Sequence, residues 1–132
     1  MTPQAERFLH NADDHLGRGQ AMIAAGLNDD AGRAAYLAAF HAAQAIIFER
    51  TGKVYKSHKG VNIEFLRLTK NDSHFSPEQR GFLSKAYDFK AVADYDTGPI
   101  AEVSSQEAVD AVEAARKFVA TVRRVLTLQP PN

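Results

Sequence analysis

Residues 31–48 read AGRAAYLAAFHAAQAIIF, and this run decides the fold. On a helical wheel Arg33, Tyr36, Phe40, Gln44 and Ile47 form one stripe, and Ala34, Leu37, His41, Ala45 and Phe48 form the stripe beside it. The opposite side is almost all small: Ala35, Ala38, Ala39, Ala42, Ala43 and Ile46. A helix apolar on every side is a central one, packed against several neighbours or buried in a subunit interface. Its start is expected at an Asn28 or Asp29 cap, and Thr51-Gly52 closes it after Arg50.

Working outward, Thr2-Pro3 opens a first helix that runs to about Ala25 and stops at Gly26, with Phe8, Leu9, Ala12, Leu16 and Ile23 inward. Gly17 and Gly19 weaken its middle, where a bend is expected. After the central helix, a short one is expected from Ser57 or Lys59 to Leu68, turning Val61, Phe65 and Leu68 inward. Ser76, Pro77 and Gln79 then supply an N-cap, a first helical residue and the far half of a capping box for a fourth helix. Phe82, Ala86, Phe89 and Ala93 form its core stripe, and Leu83, Tyr87, Lys90 and Asp94 lie beside them. Asp96-Thr97-Gly98-Pro99 breaks the chain, and Ser104 with Glu107 caps a last helix reaching about Leu126, with Val109, Val112, Ala115, Val119, Val122 and Leu126 inward. Four long helices with short connections and one short helix between the second and fourth predict an all-α antiparallel four-helix bundle. It forms one domain over residues 1–128, with a structureless tail at residues 129–132.

Composition narrows the function classes. Sixteen Lys and Arg balance sixteen Asp and Glu, so recognition of nucleic acid by whole-molecule charge is disfavoured and only a local basic patch could serve. The chain has no cysteine, which excludes disulfides, thiolate metal sites and a cysteine nucleophile, and fits a reducing, cytoplasmic setting. Glu6, Asp13 and Asp14 stand where a signal peptide would need a basic and then an apolar run, and no stretch reaches the roughly 18 apolar residues of a membrane span. No membrane role is expected.

The residues that could carry chemistry are few. No two of the histidines at 10, 15, 41, 58 and 74 have the i, i+3 or i, i+4 spacing of a helical metal site, and His10 with Asp14 reads as an exposed helix face. No metal or cofactor is expected. His41, on an apolar stripe, reads as a core histidine satisfied by a partner. Neither a phosphate-cradling glycine loop nor a G-x-S-x-G elbow occurs. The most basic segment is Arg50, Lys53, Lys56, His58 and Lys59, with no acid between Glu49 and Glu64; it could meet phosphate, or be a solvated loop. The remaining group, Lys90, Asp94, Tyr95 and Asp96, closes the fourth helix. As an exposed i, i+4 pair in the Lys-first order, Lys90 and Asp94 would stabilise the helix by only a few tenths of a kcal/mol.

Three segments in order carry a resemblance. RAAYLAAFH at 33–41, SHKGV at 57–61 and ADYD at 93–96 together resemble the small HEPN-domain proteins, most closely the branch labelled UPF0332, over about residues 5–126. The resemblance implies a bundle that is usually a homodimer, in a superfamily whose active members are metal-independent RNases. It also implies a possible partner, the minimal nucleotidyltransferase of toxin-antitoxin modules. Active members carry Arg, four to six residues, then His, the His acting on the ribose 2′-OH and the Arg on the phosphate. Here the matching arginine position is Lys90, and Tyr95, Asp96 and Thr97 stand where the histidine would fall. A literal match, Arg67 with His74, lies in the loop before the fourth helix, and nine arginines among five histidines make roughly one chance match expected.

The expected site is therefore Lys90, Asp94, Tyr95, His58 and Lys59, a constellation for RNA or a nucleotide, with Arg33, Tyr36 and His41 as motif or structural residues. Arg33 is expected to bond Asp94 or Asp88, and His41 to be buried. A homodimer is expected to cover the alanine face. The competing expectation is an active RNase in which Lys90, Tyr95 or His41 replaces the missing groups.

Overall fold

Helix α1, Pro3–Ala24, starts where the Thr2 hydroxyl accepts from the Ala5 N–H, as the Thr-Pro pair dictates. Five more helices follow among the described residues: α2 Asn28–Thr51, α3 His58–Leu68, α4 Pro77–Arg80, α5 Phe82–Tyr95 and α6 Ser105–Thr127. The computed structural model describes residues 1–95 and 102–128, apart from the Tyr95 side chain. The break at 96–99 and the 129–132 tail expected from the sequence lie outside the described residues. No described helix is long and apolar enough to cross a membrane.

Helix α2 is the axis, touching α1, α3, α5 and α6. Its direction against each neighbour is fixed by side-chain contacts. The Thr2 N–H donates to Glu49 Oε1 at 2.8 Å, tying the start of α1 to the end of α2, so the two run antiparallel. Tyr36 meets Tyr87, and Arg33 meets Asp94 at 2.6 Å, so α5 is also antiparallel to α2. The Val103 N–H donates to Asp29 Oδ1 at 2.9 Å, bringing the entry to α6 beside the first turn of α2. Asp13 holds Arg123 at 2.7 Å, and Gly19 faces Val112, so α6 runs antiparallel to α1.

The alanine face needs no second copy to cover it. Ala35, Ala38, Ala39, Ala42, Ala43 and Ile46 are all buried within the single chain. Small side chains let α1 and α6 approach α2 closely, which replaces the subunit interface expected from the sequence. The same tightness appears at two glycines. A Cβ added to Gly32 would stand 3.0 Å from the Phe89 Cβ, and one on Gly19 would stand 3.1 Å from Val112. Gly32→Val is therefore expected to push α5 off α2 and lower stability by about 1–3 kcal/mol, read as a fall in urea midpoint without a change in slope.

Four expectations need correction. Asn28 and Asp29 do not cap α2; the N-cap is Leu27 with no side-chain bond, because the Asp29 carboxylate is spent on Val103. The fourth helix is divided at Gly81 into α4 and α5. The Ser76–Gln79 capping box forms, but Gln79 also donates to Thr121 and Arg80 reaches the Leu66 carbonyl, drawing the first turn toward α3 and α6 just before a residue of low helix propensity. Val109 is 42% exposed, because the buried stripe of α6 is centred on Ala108, Ala111, Ala115, Phe118 and Val122. No bend is needed at the α1 glycines, where the helix runs unbroken and Gly19 is a packing contact.

Candidate functional site

The site forms on the N-terminal half of α2, where α3 and α5 lie across it. Asp94, in the last turn of α5, accepts from Arg33 Nε at 2.6 Å and from Lys90 Nζ at 2.7 Å. One carboxylate thus holds two cations, and the trio keeps a net positive charge. The Lys90 hydrogen bond, followed by that of Arg33, outweighs partial burial and holds the Asp94 carboxyl below its ordinary range. Arg33 pairs as expected, but its side chain remains 43% exposed. A cation with that much water around it tolerates its position through one good partner and solvent together.

Beside the trio lies an aromatic layer. Ser57 caps α3 and makes His58 its first residue. The Tyr36 hydroxyl meets His58 Nδ1 at 2.8 Å, and the His58 ring stacks on Tyr87 at 4.0 Å between centroids, 19° from parallel. Tyr36 in turn meets Tyr87 edge-on at 5.5 Å. Burial, with the neighbouring Tyr87, pushes the Tyr36 phenol up, so it keeps its proton at neutral pH. Burial first and the Lys90 cation second push the His58 imidazole down. A neutral imidazole accepting the phenol proton at Nδ1 carries its own hydrogen on Nε2. In that tautomer His58 offers a donor at Nε2, and in the other, where Nδ1–H donates to the phenol oxygen, it offers an acceptor there.

The structure gathers Arg33, Tyr36, His58, Lys90 and Asp94 from the expected set, and adds Tyr87. Tyr87 is 40% exposed and one helical turn before Lys90, which is the pattern that marks it in the sequence. Lys59 makes no hydrogen bond or ion pair with them among the described residues. It is exposed on the first turn of α3. The Tyr95 side chain lies outside the described residues.

His41 is half-buried, not buried, and its ring contacts are with His15 and Phe40 rather than with the His58–Tyr87 layer. Its ring stacks on His15 at 5.2 Å, and its Nδ1 meets Gln44 Oε1 at 2.8 Å; an amide oxygen only accepts, so His41 donates. Gln44, itself buried, passes its Nε2 hydrogen to the Tyr55 carbonyl at 2.8 Å and fixes the segment that leads into α3. Burial first, then His41, Arg18 and Arg33, push His15 down from 6.5 to about 4. An unfolded His15 binds its proton near 6.5 while the folded one resists until about 4, so stability is full above this window and is lost as pH falls through it. Thermal melts of His15→Gln are expected to show a shallower decline between pH 6.5 and 4 than the parent chain.

Arg67 and His74 do line one cleft, but each is engaged locally, Arg67 by Glu64 and His74 by Asp72. Among the described residues no group of three or more His, Asp or Glu side chains could hold a metal, and His10 with Asp14 is an exposed pair at 3.7 Å.

The fold and site define an all-α bundle with a cationic and aromatic surface built on its central helix. The family model of the HEPN domain matches residues 5–125, and the chain belongs to the HEPN domain family. No curated protein matches it. Family membership points to a nucleotide- or RNA-related role.

Proposed function

We propose that this chain is a non-catalytic HEPN protein of the UPF0332 type that binds single-stranded RNA or a nucleotide through Arg33, His58, Tyr87, Lys90 and Asp94. The observation that carries the reading is the juxtaposition of a carboxylate-clamped cation pair with a stacked His58–Tyr87 layer. Lys90 attracts phosphate, and an exposed tyrosine ring offers a face to a base. His58 Nε2 meets a phosphate or base-edge group, donating in the tautomer whose Nδ1 accepts from Tyr36. Tyr95, at the end of the same helix, is a further candidate contact, and Lys59 contributes long-range attraction only.

Two features argue against a ribonuclease. Lys90 cannot form the flat bidentate contact of the family's arginine. The hydrogen bond and ring contacts of His41 are with Gln44, His15 and Phe40, away from Lys90 and Asp94. The RNase motif is then degenerate, and the protein serves in the cytoplasm as the binding component of a toxin-antitoxin or nucleotidyltransferase-associated module. A homodimer, expected from the family, would use a face other than the alanine stripe.

Titrating labelled single-stranded RNA into the parent chain and Lys90→Ala in EDTA tests this reading. Intact RNA and an affinity about tenfold weaker for the variant are expected, equivalent to about 1.4 kcal/mol. Equal affinities sink the site, and EDTA-resistant cleavage that is lost in Lys90→Ala replaces binding with catalysis.

A further inference from the structure

A second, separate concavity lies at the other end of α2. Arg33 and Arg50 are separated by about 25 Å along the helix axis, at about 1.5 Å per residue. An open cleft of about 580 Å³ forms there, lined by Arg50 from the last turn of α2, Arg67 from the end of α3, Lys70, Asp72 and His74 from the following turn, and Leu128 from beyond α6. Its size is that of a small-ligand pocket, roughly 300–1,000 Å³.

The side chains divide into those already satisfied and those not. Arg67 is held by Glu64. Asp72 accepts both the backbone N–H of His74 at 2.9 Å and its Nδ1–H at 2.7 Å, which locks the imidazole in place. Arg50 and Lys70 make no hydrogen bond or ion pair among the described residues, Arg50 acting only through its charge on Asp72 and Glu49, so with Arg67 the cleft presents three cations and one engaged carboxylate. Cations at helix C-termini also complement the macrodipole, which accounts for Arg50 and Arg67. It does not account for Lys70, which lies past the end of α3, nor for an oriented imidazole facing the same space.

We propose that this cleft is a second ligand site, which takes the phosphomonoester of a small molecule. Arg50 and Lys70 face the phosphate oxygens. His74 Nε2 meets the same group, donating as an imidazolium or accepting from a protonated phosphate oxygen. Leu128, 51% exposed, offers an apolar wall to the rest of the ligand. A mononucleotide has this chemistry and fits the volume. An RNA strand engages instead at the Lys90 surface, so the two sites are separable by experiment.

The probes are adenosine 5′-monophosphate, adenosine and inorganic phosphate, titrated into the full chain with the His74 ring followed by NMR. Adenosine 5′-monophosphate is expected to move the His74 signals in a saturable way, inorganic phosphate to move them more weakly, and adenosine to leave them in place. The Arg50→Ala, Lys70→Ala double variant is expected to bind the monophosphate at least tenfold more weakly while keeping its affinity for single-stranded RNA. Lys70→Glu, on an exposed turn, gives the same reading without touching α2. Unmoved His74 signals overturn the site, as does equal monophosphate affinity in the variants. A drop in melting temperature with no binding in any chain would leave Arg50 as a dipole partner of α2 and Lys70 as a solvated turn residue, and overturn it too. Loss of RNA binding in Lys90→Ala with the cleft titration intact separates failure of one site from failure of the other.

Discussion

Phe118→Ala is expected to destabilise the fold by about 3–5 kcal/mol, the largest loss of any single truncation proposed for this chain. Phe118 is fully buried on α6, and its ring lies 5.2 Å from Phe65, 6.3 Å from Phe75 and 6.0 Å from Phe82. Those three rings come from α3, the turn after it, and the start of α5. Removing the fourth leaves a cavity shared by rigid elements that cannot collapse independently, so the cost exceeds simple transfer. Urea unfolding followed by far-UV circular dichroism measures it. A loss below about 1 kcal/mol would mean that this end of the bundle repacks freely, against the close packing described here.

The second large effect is on binding. Lys90→Glu places a carboxylate beside Asp94, removes the cation that attracts phosphate, and leaves Arg33 to serve two acids. The local charge changes by two units, and single-stranded RNA affinity is expected to fall at least thirtyfold at low salt, about 2 kcal/mol. The fold should survive, because the buried face of α5 is made by Phe82, Leu83, Ala86, Phe89 and Val92, and Lys90 is not among them. A comparison of binding isotherms at constant helical circular dichroism separates the two effects. Unchanged affinity would place the RNA elsewhere.

How much of this was legible in the sequence follows from the range of each interaction. Capping signals act over three residues, and so Ser76 with Gln79 and Ser104 with Glu107 marked helix starts that the structure contains. The Arg33–Asp94 pair was legible because a guanidinium on a packed helix needs a carboxylate, and few acids lie on the facing helix. The alanine face misled, since small residues signal close approach without saying whether the approaching helix belongs to the same chain. The Tyr36–His58–Tyr87 layer was not legible as a unit. It joins three helices, and its contacts depend on where α3 crosses α2, which no local pattern encodes. Gly81 and the Arg80 anchor were hidden for the same reason, because the bond to the Leu66 carbonyl spans a turn whose path is set by tertiary packing.

The central claim is that Lys90 contacts a phosphate in a surface shared with Tyr87 and Arg33. The most direct measurement is the salt dependence of single-stranded RNA binding for the parent chain and Lys90→Ala. Plotted as log affinity against log salt, the parent slope is expected to be steeper by about 0.7, the share of one neutralised phosphate on a single strand. Parallel lines with equal intercepts would contradict the account.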